Sequence, residues 1–228
     1  MAVILVSGGL DSALNLAMAA QAGKAKLALT MRYGQRAEVR ELAAAVQLAK
    51  HYNIEWRSID VSWLGAIHEN ALTRSDQNLP QFTLSELNSD PKTQASMKAV
   101  WVANRNGVFL NIAAAFAEAR NLNEVYVGFN LEEASTFPDN SAAYLQAATN
   151  ALAFSTLNKV QVKSYTVNWD KTKIMAESLR LDLPLQYVWS CYENKEQRCW
   201  KCESCLRTER ALRANGKVGL AWLEKLKK

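Results

Sequence analysis

The chain has 228 residues, 49% of them hydrophobic and 21% charged, values of an ordinary globular domain long enough for a substantial core. They exclude a long disordered tract, and no stretch reaches the roughly 18 apolar residues of a membrane span. The net charge of +5 sits in the tail, where residues 193–228 hold ten Lys or Arg against five Glu. Such a tail is read first as a solvated helical face and second as a patch for phosphate or RNA.

Residues 2–6 form a continuous apolar run of buried-strand type, with neither the basic flank nor the cleavage site of a signal peptide, so a cytoplasmic protein is expected. Ser7-Gly8-Gly9-Leu10-Asp11-Ser12 follows at once, and 12–22 has helical composition. A strand over 26–33, an amphipathic helix over 38–52 and a strand over 54–61 continue the alternation, which predicts parallel βαβ units. Residues 61–98 carry Pro80 and Pro91 and no sustained period, and are read as a lid or substrate loop. An apolar helix over 107–120 is expected next, with a face suited to a homodimer, then a strand over 124–128, a loop over 130–139 and a helix over 141–157. A fifth strand over 160–167 precedes a helix over 171–180, the cysteine cluster, a helix over 207–215 and a terminal helix over 220–228, with Gly216 and Gly219 as punctuation between the last two.

The chemistry begins at the loop after the first strand. Two glycines let backbone N–H groups approach an anion, Ser7 and Ser12 offer hydroxyls, and the following helix directs its positive end at the same point. Asp11 either holds a Mg²⁺ that bridges phosphates or stabilises the turn. The loop lacks the lysine of GxxxxGK[ST] and the GxGxxG spacing, which argues against ordinary γ-phosphate hydrolysis and against dinucleotide binding.

Cys191-x7-Cys199-x2-Cys202-x2-Cys205 supplies four thiolates, the number that closes a tetrahedral site, and predicts one structural Zn²⁺ per chain. A redox pair and an iron–sulfur cluster are the other readings of the spacing. The neighbouring Lys195, Arg198, Lys201 and Arg207 are expected to offset the charge of such a centre. His51 and His68 stand in no metal spacing and are read as surface residues; Trp101 and Trp222 are read as packing.

SGGLDS resembles the signature of PP-loop ATP pyrophosphatases. Trp189-Ser190-Cys191-Tyr192 with the three later cysteines resembles the zinc signature of the 7-cyano-7-deazaguanine synthase family. Tyr33-Gly34-Gln35-Arg36, Ala71-Leu72-Thr73, Arg105-Asn106, Gly128-Phe129-Asn130, Phe137-Pro138-Asp139 and the Trp169–Lys171 region are similar to further segments of that family, in one order from residue 2 to about 213. The resemblance implies an α/β fold of adenine nucleotide alpha hydrolase-like or Rossmann-like type: a doubly wound, mostly parallel five-stranded sheet with helices on both faces and a C-terminal zinc-binding helical segment. Residues 1–186 would be the ATP-binding part and 187–228 the zinc-binding part, packed as one domain. It also implies conversion of a small-molecule carboxylate, 7-carboxy-7-deazaguanine, with ammonia and ATP–Mg²⁺ as cosubstrates, through adenylated carboxylate and amide, in queuosine biosynthesis. Ser7, Gly8, Gly9, Leu10, Asp11, Ser12, Ala13 and Arg36 would hold the nucleotide; Asp11, Arg105 and Lys171 would be catalytic; Arg105, Asn130, Phe137 and Asp139 would bind the substrate.

The sequence departs from the family pattern at Arg32 (where an acid is usual), Ala103-Asn104 (Pro-Gly), Glu132-Glu133 (Asp is common), Asn140-Ser141 (Cys-Arg) and Trp200 (Gly). Several of these fall in segments assigned to the deazapurine pocket. A paralogue adenylating another carboxylate, or an RNA or protein substrate, is the alternative reading.

Overall fold

The computed structural model describes residues 1–67, 70–87 and 90–227, with the side chains of Asp90 and Pro91 left aside. His68 lies outside the described residues. The elements run β1 (Ala2–Leu5), α1 (Leu10–Gln21), β2 (Ala25–Arg32), α2 (Glu38–His51), β3 (Glu55–Asp60), α3 (Trp63–Ala66), α4 (Asp90–Val100), α5 (Arg105–Ala119), β4 (Glu124–Tyr126), α6 (Leu131–Ala134), α7 (Ala142–Ser155), β5 (Gln161–Lys163), α8 (Lys171–Arg180), α9 (Glu203–Ala214) and α10 (Gly216–Lys227).

The five strands form one parallel sheet in the order β3-β2-β1-β4-β5. The central β1 is an unbroken apolar run because both its faces are covered. Ala2, Ile4 and Val6 join one core with α1, α2, α8, α9 and α10. Val3 and Leu5 point the other way, into a core with α3, α5 and α7. The expected doubly wound α/β architecture is therefore present. Each fully buried Leu or Ile contributes about 1.5–3 kcal/mol, so the alternation along β1 ties both layers to one strand. Strand order reverses between β1 and β4, and the crevice outside their carboxyl ends is where open α/β sheets bind ligands.

Several expectations need correction. Residues 61–98 are not a featureless loop: they hold α3, a 3₁₀ turn at Leu84–Glu86 closed by a Thr83/Glu86 capping box, and α4. Their periodicity was hidden by shortness and by polar residues. β5 is only three residues long, ended by the bonds of Ser164 and Thr166 side chains to Phe129 O rather than by ladder pairing. Gly219 does not interrupt the tail but lies inside α10, where a Cβ would meet Leu212 O at 2.0 Å; its absence lets α10 lie against α9. On the helix expected to carry a dimer face, Val108, Phe109, Ile112 and Phe116 are half-buried and pack against the core. Phe154 (95% exposed), at the end of α7, and Leu157 (97%), just beyond it, are the most exposed large apolar side chains on that layer, ahead of Trp63 and Ile67.

Candidate active site

The loop after β1 is shaped by close packing. Gly8 has φ +84°, and a Cβ there would sit 2.8 Å from both Ala44 Cβ and Glu41 O of α2. Gly128, after β4, lies so near the start of α1 that a Cβ would meet Ser12 N at 2.6 Å. Ser12 Oγ accepts from Ser7 N (3.2 Å), donates to Gly9 O (3.0 Å) and lies 3.1 Å from Ser7 Oγ. The N–H groups of Gly9 and Leu10 are held only at 3.4 Å, by Ser7 Oγ and Ser190 Oγ. Weakly engaged donors at the start of a twelve-residue helix form a cradle for an anion. Ala13 departs from expectation: its N–H bonds Gly9 O at 3.0 Å and its side chain is in the core.

A cavity of about 250 Å³ opens from this loop, lined among others by Ser7, Gly9, Leu10, Asp11, Ser12, Arg36, Arg105, Phe137 and Lys171. Lys171 is the first residue of α8, behind the N-cap Asp170, and is buried. Its Nζ donates to Asp11 Oδ2 and, at 2.9 Å, to Glu133 Oε1. Burial pushes the Asp11 carboxyl up to about 6 against the pull of Lys171. The two carboxylates hold Lys171 well above the ordinary lysine value although burial opposes them. Asp11 Oδ1 is buried without a hydrogen-bond partner among the described residues. Behind this centre Glu132 accepts from Lys171 N (2.9 Å), Arg207 (2.7 Å) and Arg210, and Arg207 reaches Glu203 (2.7 Å), which accepts from Ser96 of α4 (2.9 Å). Arg207 thus serves carboxylates rather than the cysteine centre, while Arg198 lies within electrostatic reach of Cys205 and Cys191.

On another wall Arg105 donates to Tyr33 Oη (3.3 Å) and lies 5.6 Å from the Tyr33 ring centroid. Tyr33 is raised by burial, with Arg105 opposing. Arg36 borders the cavity but is a strap: its guanidinium binds Gln77 O (2.8 Å) and Glu193 (3.1 Å), and its N–H binds Leu72 O (2.7 Å). Phe137 stacks on Trp101 at 6.1 Å between centroids. Asn130 and Asp139 are not in the wall. Asn130 is fully buried and caps α6 by accepting from Glu133 N (2.9 Å). Asp139 accepts from Asn140 Nδ2 (3.1 Å), and Asn140 faces the cavity in its stead. Sequence reasoning missed Glu41, Ser190, Glu203 and Arg207 as site-forming groups. Only Glu203 and Arg207, spaced i, i+4 on one helix, carried a local signal.

The four cysteines converge as expected, with all four Sγ atoms within 4.8 Å of one another and Cys199 Sγ 3.9 Å from Cys205 Sγ. Tetrahedral Zn–S bonds of about 2.3 Å place sulfurs about 3.8 Å apart, so the donor set fits zinc. The N–H groups of Glu193 and Cys199 point at Cys191 Sγ, and those of Lys201 and Cys202 at Cys199 Sγ, at 3.3–3.4 Å, donors that suit thiolates. Just ahead of Cys191, Trp189 N donates to Gly8 O (2.8 Å), and the Trp189 ring lies between Arg40 and Arg198 at 5.3 and 5.2 Å.

The family described as queuosine biosynthesis protein QueC matches residues 1–216. The chain belongs to this family. It is 49% identical over 214 residues to a 7-cyano-7-deazaguanine synthase of Desulforamulus reducens, covering 94% of each chain. It is 47% identical over 214 residues to the enzyme of that name from Pelotomaculum thermopropionicum, covering 94% of this chain and 97% of that one. With that of Methanosarcina mazei it shares 44% over 218 residues, 94% of each.

Two departures from the QueC pattern have a backbone explanation. Asn104 (φ +53°) and Trp200 (φ +53°) stand in the left-handed region where the pattern has glycine. Asn tolerates it well; Trp200 offsets it by packing against the core and beneath Lys227, 5.0 Å from its ring. Ser141 caps α7 by accepting from Tyr144 N (3.1 Å), and Arg32 pairs with Glu38 (2.9 Å) at the sheet's rim. Of the changed residues named here, Asn140 and Glu133 border the cavity.

Proposed function

We propose that this chain is an ATP-dependent carbon–nitrogen ligase that converts 7-carboxy-7-deazaguanine and ammonia into 7-cyano-7-deazaguanine. The observation that carries the reading is the meeting, in one cavity, of the anion cradle at 7–12 with the Asp11–Lys171–Glu133 centre. The printed names of the relatives support it. A carboxylate is inert to ammonia because oxide is a poor leaving group. Attack of its oxygen on the α-phosphorus of ATP expels pyrophosphate, and ammonia then displaces AMP to give the amide. The amide oxygen repeats the attack on a second ATP, and loss of AMP and two N–H protons leaves the nitrile.

In this reading the N–H groups of Gly9 and Leu10 and the hydroxyls of Ser7, Ser12 and Ser190 hold the departing pyrophosphate. Lys171 and Arg105 offset charge near the α-phosphate and the carboxylate, work that is mainly alignment and electrostatic stabilisation. The orphan Oδ1 of Asp11 suits a Mg²⁺ accompanying the phosphates, which would neutralise them. The four cysteines would hold one structural Zn²⁺ per chain. The exposed Phe154 at the end of α7 and Leu157 just beyond it support a homodimer, tested by sedimentation velocity of wild type and Phe154→Ser, the latter expected to be monomeric. Cytoplasmic work on soluble metabolites accords with this chemistry, and no described helix is long and apolar enough to cross a membrane.

The deciding assay incubates the protein with ATP, Mg²⁺, ammonia and 7-carboxy-7-deazaguanine beside other carboxylates. Two AMP and two pyrophosphate per nitrile are expected. ADP as the main nucleotide product, or AMP release indifferent to the deazaguanine acid, overturns the reading.

A further inference from the structure

A fourth acid borders the cavity and takes no part in the chemistry assigned so far. Glu41, in the first turn of α2, is joined to the loop at 7–12 through the packing of its own carbonyl on Gly8. Its Oε2 accepts from Gln35 Nε2 at 2.9 Å. The amide of Gln35 cannot turn over, because its Oε1 accepts from Tyr33 N (2.9 Å) and its Nε2 also donates to Met31 O (3.2 Å). The carboxyl is thus held by one oxygen, and among the described residues no side chain or backbone donor engages the other. Among the described residues no cation pairs directly with it, in contrast to Asp11 and Glu133 around Lys171.

We propose that Glu41 is the catalytic base that takes the proton from nitrogen in both halves of the reaction. The inference rests on the ligase reading above. When ammonia forms its bond to the adenylated carboxyl carbon, the C=O electrons move to oxygen and the nitrogen becomes cationic. Glu41 removes one N–H proton; the C=O re-forms, the bond to the AMP oxygen breaks, and amide and AMP result. In the second half the amide oxygen is adenylated and pyrophosphate leaves. Glu41 then accepts the N–H protons in turn, passing each to solvent, as the C≡N bond forms and AMP departs with the former amide oxygen.

The ionisation of Glu41 suits that task. Burial lifts the carboxyl to about 7, with Gln35 and Arg105 pulling it down and Glu38 adding to the rise. Tyr33, the other titratable neighbour on this wall, is itself raised and stays neutral there. A base is most effective when it titrates near the working pH.

The test compares wild type with Glu41→Gln in two assays. The first is pyrophosphate–ATP isotope exchange driven by 7-carboxy-7-deazaguanine without ammonia; the second is amide and nitrile formation with ammonia. Expected are exchange within about threefold of wild type and amide formation lower by roughly 10²–10⁴-fold, with loss of the acid limb near pH 7 from the rate profile. Hydroxylamine, whose cationic adduct has a more acidic N–H and loses its proton to water without help, should restore much of the rate as hydroxamate. Amide formation within threefold of wild type, or parallel loss of exchange, overturns the assignment. Should Glu41→Gln not fold, Glu41→Ala, which also removes the carboxylate, carries the same comparison, with the same outcomes deciding. If wild type itself shows no exchange with this acid, the ligase reading has failed, and the role of Glu41 falls with it.

Discussion

Replacing Lys171 by Met should cost stability in a way that depends on pH. Lys171 sits between Asp11 and Glu133, with side chains 8%, 13% and 34% exposed. Removing one member of a buried ion pair leaves charge uncompensated and costs about 3–5 kcal/mol; since a cavity borders these groups, the lower end applies. For a chain of this length that is a fall in melting temperature of about 6–12 °C. The sign with pH follows from Asp11, which is raised from its ordinary value to about 6. A carboxyl raised in the folded state contributes stability that is fully present below its unfolded pKa and is lost as pH rises through the folded one. Without Lys171 the rise is larger, so the penalty is greatest at pH 8, shrinks as pH falls toward about 6, and is gone below it, where the carboxyl is protonated in both proteins. Denaturant unfolding of wild type and Lys171→Met at pH 8 and pH 5 measures it, and adding Asp11→Asn should recover most of the loss at pH 8. A penalty equal at both pH values, or no recovery in the double variant, would refute the account.

Gly8→Ala places a Cβ against Glu41 O and Ala44 Cβ at 2.8 Å, at φ +84°; calorimetry should find ATP affinity down by more than about tenfold, since even 1–2 kcal/mol of left-handed strain alone approaches that factor. Trp200→Gly should relieve about 1 kcal/mol of backbone strain yet lower the melting temperature, because the lost packing under Lys227 and against the core is larger. Metal analysis should find about one zinc per chain, and stripping it with a chelator should weaken ATP binding in titrations at temperatures where circular dichroism still reports the sheet.

The sheet was legible because β1 and β2 are long apolar runs and the helices between them keep their period. The phosphate loop and the cysteine knuckle were legible because each is a set of residue types at fixed local spacing. What escaped was made by distance in sequence. Ser190 meets Leu10 across 180 positions and Lys171 meets Asp11 across 160, and no window contains both partners. Asn130 shows the opposite failure: a motif residue beside the site whose amide is used to start α6, leaving Asn140 to face the cavity. Asn104 and Trp200 looked like chemical changes on paper and are conformational ones, visible only through φ.

The distance between the four cysteines and the loop at residues 7–12 in the sequence conceals a mechanical dependence. The cradle's own bonds are long, 3.0–3.4 Å among Ser7, Gly9, Ser12 and their neighbours, so its shape needs a rigid backing. Trp189 and Ser190 supply part of that backing through Gly8 O and Leu10 N, yet they belong to a stretch without regular secondary structure between α8 and the knuckle. Such a stretch keeps one geometry only if both its ends are fixed. One end is fixed by Leu183, Leu185 and Val188 in the core. The other begins at Cys191, and four thiolates gathered within a few ångströms stay there only if a cation holds them. Arg36 adds a second tie, binding Glu193 beside the knuckle and Gln77 in the stretch after β3. In the proposed reading a metal outside the reacting centre would thereby set the position of donors inside it, and its loss would reach ATP before it reached the fold.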